Sequence, residues 1–149
     1  MAAMNSYKAI ALSDLKAARA LQELGLYNQS AKFYQQFVEK SLKEIIDQNI
    51  SDSKETDLLL IRSHNTFKLA KRVCEILNYE FEKSWLGWFR TVKDYYYEVS
   101  YPGDDFTEIT EKDIVELASW INEFEKCVIC LQHLTFHSNR VRQEIEFTR

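Results

Sequence analysis

Apolar residues recur at steps of three and four along most of the chain, and few residues interrupt them. The clearest example lies in the last third, where one stripe is formed by Ile114, Leu117, Ile121, Phe124, Val128 and Leu131. This spacing is typical of one face of an α-helix. The 149 residues include one Pro and three Gly, which leaves few positions for tight hairpin turns. Both patterns favour long helices, and we expect an all-α fold.

Turn and cap signals divide the chain into predicted helices. The helices are expected at about 6–24, 28–48, 63–78 and 81–98, with a last long helix from 110 onward. Gly25 can end the first in a left-handed cap, Asn28 and Ser63 are candidate N-caps, and Thr110 with Asp113 resembles a capping box. The segment 58–61 is interpreted as a helical turn or the start of the third helix. We therefore expect an up-and-down helical bundle of four long helices plus a shorter helix, folded as a single domain over residues 1–149.

Each predicted helix has an apolar face that must be covered by another. The face of the first comprises Ala11, Leu12, Leu15, Ala18 and Leu21. On the second, the stripe is Ala31, Tyr34, Val38, Leu42 and Ile45. Burial of one large apolar side chain contributes roughly 1.5–3 kcal/mol, so several are needed on each helix to offset the loss of chain entropy.

Charge and hydropathy exclude some classes of partner. The formal net charge is -4, so the chain does not offer a generic surface for nucleic acid, and DNA is not expected as a partner. No stretch approaches the roughly 18 apolar residues of a membrane span, and the first residues lack the pattern of a secretory signal. We expect a cytoplasmic protein with no membrane partner, in which Cys74, Cys127 and Cys130 are reduced thiols.

The second predicted helix has a polar face opposite its apolar stripe. Four long side chains recur there at helical spacing: Gln36, Glu39, Lys40 and Lys43. One interpretation is a solvated surface with Glu39 and Lys43 as an i,i+4 ion pair, which stabilises a helix weakly. The other is a half-buried polar cluster near a dimer interface that binds a phosphate or a partner. The sequence leaves both open.

Four segments together resemble the HEPN domain family (higher eukaryotes and prokaryotes nucleotide-binding). They are residues 15–18 with 26–27, 35–43, 63–64 and 97–102. The resemblance implies a helical bundle that forms homodimers. It also implies a small nucleotidyltransferase as partner, in a toxin–antitoxin pair, and a nucleotide as ligand. Many members are ribonucleases that use an Arg and a His separated by four to six residues.

The chain departs from this family pattern at the catalytic pair. Arg90 is followed at the required distances by Tyr95, Tyr96 and Tyr97 instead of His. A tyrosine titrates near pH 10 and transfers protons poorly at neutral pH. Ser100 replaces the Arg that often precedes the Tyr-Pro pair in this branch of the family. The chain therefore resembles the family but lacks its ribonuclease pair, and we assign no catalytic residue and no cofactor.

Three further groups have alternative interpretations. His64 either hydrogen-bonds backbone groups at a helix start or meets the Glu39–Lys40 face. The aromatic residues from Trp85 to Phe106 either pack or stack on bases, and packing is favoured. A metal site is disfavoured, because one straight helix cannot surround an ion with Cys127, Cys130, His133 and His137.

These observations lead to a ranked set of functional hypotheses. The first is a non-catalytic, homodimeric HEPN-like partner of a small nucleotidyltransferase that contacts a nucleotide or phosphate. The residues assigned to that contact are Gln36, Glu39, Lys40, Lys43, His64, Arg90 and Tyr97. The alternatives are a divergent metal-independent ribonuclease and a structural adaptor without a small ligand.

Overall fold

The structure, a computed structural model, describes residues 5–49 and 55–147, and the side chains of these residues as far as 134. All regular structure in this part of the chain is helical. The helices are α1 (Tyr7–Glu23), α2 (Tyr27–Gln48), α3 (Glu55–Ile61), α4 (Thr66–Leu77), α5 (Lys83–Glu98) and α6 (Glu111–Phe147). The all-α prediction is confirmed. Within the described residues the helix count is corrected to six, because residues 58–61 belong to a separate short helix.

Helix α2 lies at the centre of the molecule and contacts each of the other five helices. Its predicted apolar stripe is fully buried, as are Phe37 and Ile46. On the opposite side, Gln35, Glu39 and Lys43 are also buried. The solvated-surface interpretation is therefore wrong for these three side chains, whereas Gln36 and Lys40 of the same face are partly exposed. A central helix needs internal partners for its polar side chains.

The cap predictions were right at some helix ends and wrong at others. As predicted, Gly25 has φ +76°, and Thr110 and Asp113 form the reciprocal capping box. The N-cap of α1, which was not assigned from the sequence, is Ser6, whose hydroxyl accepts from Ala9 N–H. The predicted cap at Ser63 is replaced by Asn65, whose side chain accepts from Lys68 N–H. The prediction at Asn28 is wrong as well.

Asn28 lies within α2, and Leu26 occupies the N-cap position without a side-chain cap. The Asn28 amide instead holds the connection between α5 and α6. Its Nδ2 donates to the carbonyls of Val99 (3.3 Å) and Thr107 (2.9 Å), and its Oδ1 accepts from Ile109 N–H (2.7 Å). Asn28 thus makes long-range hydrogen bonds instead of the local helix cap that the sequence suggested.

Aromatic rings join α2, α5 and α6. Phe124 contacts the rings of Phe37, Trp85, Phe89 and Trp120 at centroid distances of 5.3–6.3 Å. The predicted stripe of α6 is buried throughout, whereas Leu12 of α1 is 51% exposed and lies outside the core. Within the described residues, every helix is too short or too polar to cross a membrane.

Candidate functional site

The buried Glu39 carboxylate on α2 is the centre of a polar cluster. Its Oε1 accepts from Gln35 Nε2 (3.1 Å) and lies 2.9 Å from His64 Nδ1. Its Oε2 accepts from Lys43 Nζ at 3.2 Å and lies 3.4 Å from Lys40 Nζ. The carboxylate is 1% exposed. These four neighbours replace the water that the charge has lost.

The amides of the cluster connect Lys40 back to the carboxylate. Lys40 Nζ donates to Gln36 Oε1, Gln36 Nε2 donates to Gln35 Oε1, and Gln35 Nε2 donates to Glu39. Burial alone would raise the pKa of Glu39, but Lys43, Lys40 and the donated hydrogen bonds hold it below its ordinary value. Burial lowers the pKa of Lys43, while Glu39 opposes that shift. Glu39 is therefore ionised at neutral pH.

His64 precedes α4 and connects the polar cluster to the surface. An ionised carboxylate can only accept, so Nδ1 of His64 must donate to Glu39, and a neutral ring then keeps Nε2 as an acceptor. The imidazole stacks on Tyr96 with ring centroids 3.8 Å apart and planes inclined by 10°. The Lys32 ammonium lies 3.8 Å from the centroid of the same Tyr96 ring and donates to the Tyr96 carbonyl. The imidazole is thus fixed in orientation, and its side chain remains 40% exposed.

An open cleft of about 680 Å³ lies beside His64. It is bordered by the start of α4, the last turns of α5 and the connection that follows α5. Its lining includes His64, Lys93, Asp94, Tyr97, Glu98, Tyr101, Asp104, Asp105 and Phe106. The aromatic residues of the α5 region therefore divide into two groups. Phe89 is buried in the core and Trp85 and Trp88 pack against it half-buried, in line with the favoured packing interpretation. Tyr97 and Tyr101 face the cleft and are more than half exposed.

The structure brings together most, but not all, of the candidate residues. The polar cluster contains Gln36, Glu39, Lys40, Lys43 and His64. His64 and Tyr97 both line the cleft, whereas Arg90 does not.

Arg90 is exposed on α5, and its guanidinium lies 4.4 Å from the ring centroid of Phe67. It does not line the cleft that contains His64 and Tyr97. The geometry therefore does not place an Arg–His couple in the cleft.

Three contributors to the site were not predicted from the sequence. Gln35 supplies a hydrogen bond to Glu39, Tyr96 supplies the stacking surface for His64, and Lys32 contacts that ring. Gln35 lies four residues before Glu39 on the helix, so the i,i+4 rule could have found it. The other two contacts join segments far apart in the sequence, and no local signal indicates them.

The cysteines and histidines of α6 do not form a metal site in the described part of the chain. No group of three or more His, Cys, Asp or Glu there could hold a metal ion. Cys127 lies 4.0 Å from the Tyr79 hydroxyl and is partly buried, while Cys130 is exposed. The side chain of His137 lies outside the described residues.

Comparison with known proteins supports the resemblance seen in the sequence. The family model for the HEPN domain matches residues 4–128. Searches of curated proteins and of solved structures gave no match. The matched range includes the polar cluster, the cleft and most of the helical core.

Proposed function

Since the chain belongs to the HEPN domain family, we propose that it is a non-catalytic binding member of that family. In this proposal it forms a homodimer in the cytoplasm and binds a small nucleotidyltransferase as the partner in a toxin–antitoxin pair. The observation that carries the proposal is the composition of the cleft. Tyrosines occupy the positions where family ribonucleases have a histidine, and Arg90 lies against Phe67, away from His64.

A nucleotide or phosphate contact is the second part of the proposal. It is assigned to the rim of the polar cluster, where the side chains of Lys40 and His64 are 19% and 40% exposed. Glu39 and Lys43 would then hold these rim side chains in position from the protein interior, because both are buried and paired with each other. A ligand that binds only the folded state must raise the apparent stability. Thermal unfolding with ATP, GTP and inorganic pyrophosphate, compared between the native chain and Lys40→Gln, tests this assignment.

The binding function is tested by purifying the chain after co-expression with a nucleotidyltransferase encoded beside its gene. We expect a stable complex, and light scattering of the isolated chain should give twice the monomer mass of 17.7 kDa. The same protein should leave single-stranded RNA intact in EDTA. A monomer that does not retain the nucleotidyltransferase would contradict the proposal.

A divergent metal-independent ribonuclease is the alternative, and one observation favours it. The buried Glu39 carboxylate holds Nδ1 of His64, as in a carboxylate–histidine pair that serves as a general base. If RNA is cleaved in EDTA, His64→Gln should abolish cleavage and His133→Gln, on the exposed surface of α6, should not. That result would replace the binding function with the ribonuclease.

A further inference from the structure

The cleft beside His64 carries more negative than positive charge. Its lining includes four carboxylates, on Asp94, Glu98, Asp104 and Asp105. Lys93 Nζ lies 3.4 Å from Asp94 Oδ1 and compensates the charge of that carboxylate. No ion pair joins the other three to a cation within the described residues. Ions of positive charge are therefore attracted to the part of the cleft that these three carboxylates line.

Aromatic side chains form the second part of the lining. Tyr97, Tyr101 and Phe106 are 59%, 58% and 49% exposed. The rings of Tyr97 and Tyr101 have centroids 6.2 Å apart and planes inclined by 35°. The face of an aromatic ring attracts a cation, and planar cations also stack on it. Exposed rings beside uncompensated carboxylates thus match a ligand that is both flat and positively charged.

We propose that this cleft binds an arginine-bearing segment of the partner protein. A guanidinium can stack on Tyr97 or Tyr101 and donate two parallel hydrogen bonds to a carboxylate, whereas a lysine ammonium offers only a point charge. The volume of about 680 Å³ exceeds the needs of one side chain and leaves room for its neighbours. The proposal rests on the partner-binding function and names the chemistry by which the partner is recognised.

The test uses the full chain and two blocked pentapeptides, each with two cationic residues among glycines and a fluorescent label. One peptide contains arginine and the other lysine. Fluorescence anisotropy at low salt should show tighter binding of the arginine peptide. Asp104→Asn/Asp105→Asn should weaken that binding by about tenfold, the effect of two exposed charge contacts. Tyr101→Leu should remove the preference for arginine over lysine.

A matched control separates the cleft from the net charge of the protein. Glu80→Gln/Glu82→Gln removes two charges from exposed residues outside the cleft and should leave peptide affinity unchanged. All changes are at exposed positions, so thermal midpoints should agree with that of the native chain. Equal weakening by both double variants, or no arginine preference, overturns the proposal.

An RNA ligand is the competing outcome. If a single-stranded RNA oligonucleotide binds, and Asp104→Asn/Asp105→Asn strengthens that binding, the cleft is a site for anions and the proposal fails. Loss of peptide binding alongside a stable nucleotidyltransferase complex would overturn only the cleft assignment. RNA cleavage that depends on His64 would overturn the proposed function, whatever the peptides do.

Discussion

The Glu39 carboxylate is buried within a helical bundle and depends on its neighbours for every interaction. Two lysines, an amide and an imidazole approach it within 3.4 Å. Removal of one member of a buried ion pair leaves the other charge without compensation. Loss of the Glu39 carboxylate would thus remove the ion-pair partner of both lysines and the hydrogen-bond acceptor of the imidazole at once.

We expect Glu39→Gln to lower the free energy of unfolding by about 3 kcal/mol, because it leaves the buried Lys43 ammonium unpaired. Urea denaturation measures the change. Glu123→Gln, an isosteric change on the exposed surface of α6, is the control and should alter stability by less than about 0.5 kcal/mol. Similar effects of the two changes would mean that the Glu39–Lys43 pair contributes no net stability.

The ionisation of Glu39 predicts that the free energy of unfolding depends on pH. The pKa of Glu39 in the folded protein lies below its ordinary value of 4.5, so the unfolded chain takes up this proton first as the pH falls. The stabilisation is complete above about pH 4.5 and is lost as the pH falls through the folded-state pKa. The difference in unfolding free energy between the native chain and Glu39→Gln should therefore shrink below pH 4.5. Parallel pH profiles of the two proteins would contradict this.

At the scale of elements, side chains of the central helix hold segments far away in sequence. Asn28 binds three backbone groups of the α5–α6 connection, and the Ser30 hydroxyl donates to the Ala18 carbonyl of α1 at 2.8 Å. The α5–α6 connection also borders the cleft. Its position, and so the shape of the cleft, depends on an amide in α2.

Asn28→Ala should lower the free energy of unfolding by about 2 kcal/mol, because three backbone groups lose a hydrogen-bond partner. Hydrogen exchange gives a local readout, since the amide of Ile109 should exchange faster than in the native chain. Gln29→Ala removes the exposed neighbouring amide and should change neither the free energy of unfolding nor the exchange rate at Ile109. Unchanged protection at Ile109 would show that the connection is held by other contacts.

Sequence reasoning succeeded where the signal was local and periodic. The stripes of α2 and α6, the left-handed Gly25 after α1 and the Thr110–Asp113 capping box were all predicted from residues within a few positions of one another. It failed where tertiary contacts competed with a local preference. Asn28 and Ser63 have cap chemistry, but Asn28 is used in a long-range bridge and the Asn65 side chain caps α4.

The candidate site was predictable only in part, for the same reason. Helical spacing placed Gln36, Glu39, Lys40 and Lys43 on one face, but it could not show whether another helix covers that face. The contact of His64 with Glu39 was one of two interpretations that the sequence left open. The stacking of His64 on Tyr96 joins the α3–α4 connection to α5, and periodicity within one helix carries no information on it.

At the scale of the whole molecule, Phe124 joins the aromatic core. Its ring is fully buried among rings from α2, α5 and α6. We expect Phe124→Ala to lower the free energy of unfolding by about 4 kcal/mol through lost contacts and a cavity. Phe106→Ala, at a half-exposed position, should cost far less. Urea denaturation followed by tryptophan fluorescence measures both, and a small loss at Phe124 would mean that the surrounding rings can close the space.

The three cysteines differ in their surroundings, which makes the molecule suitable for selective labelling. Burial raises the pKa of the Cys74 and Cys127 thiols, so little thiolate is present on either at neutral pH. Cys130 is exposed on α6. A maleimide should therefore modify Cys130 first, and mass spectrometry of the digested protein would identify the position. One dye attached there would test whether two copies of the chain assemble, without a change to the sequence.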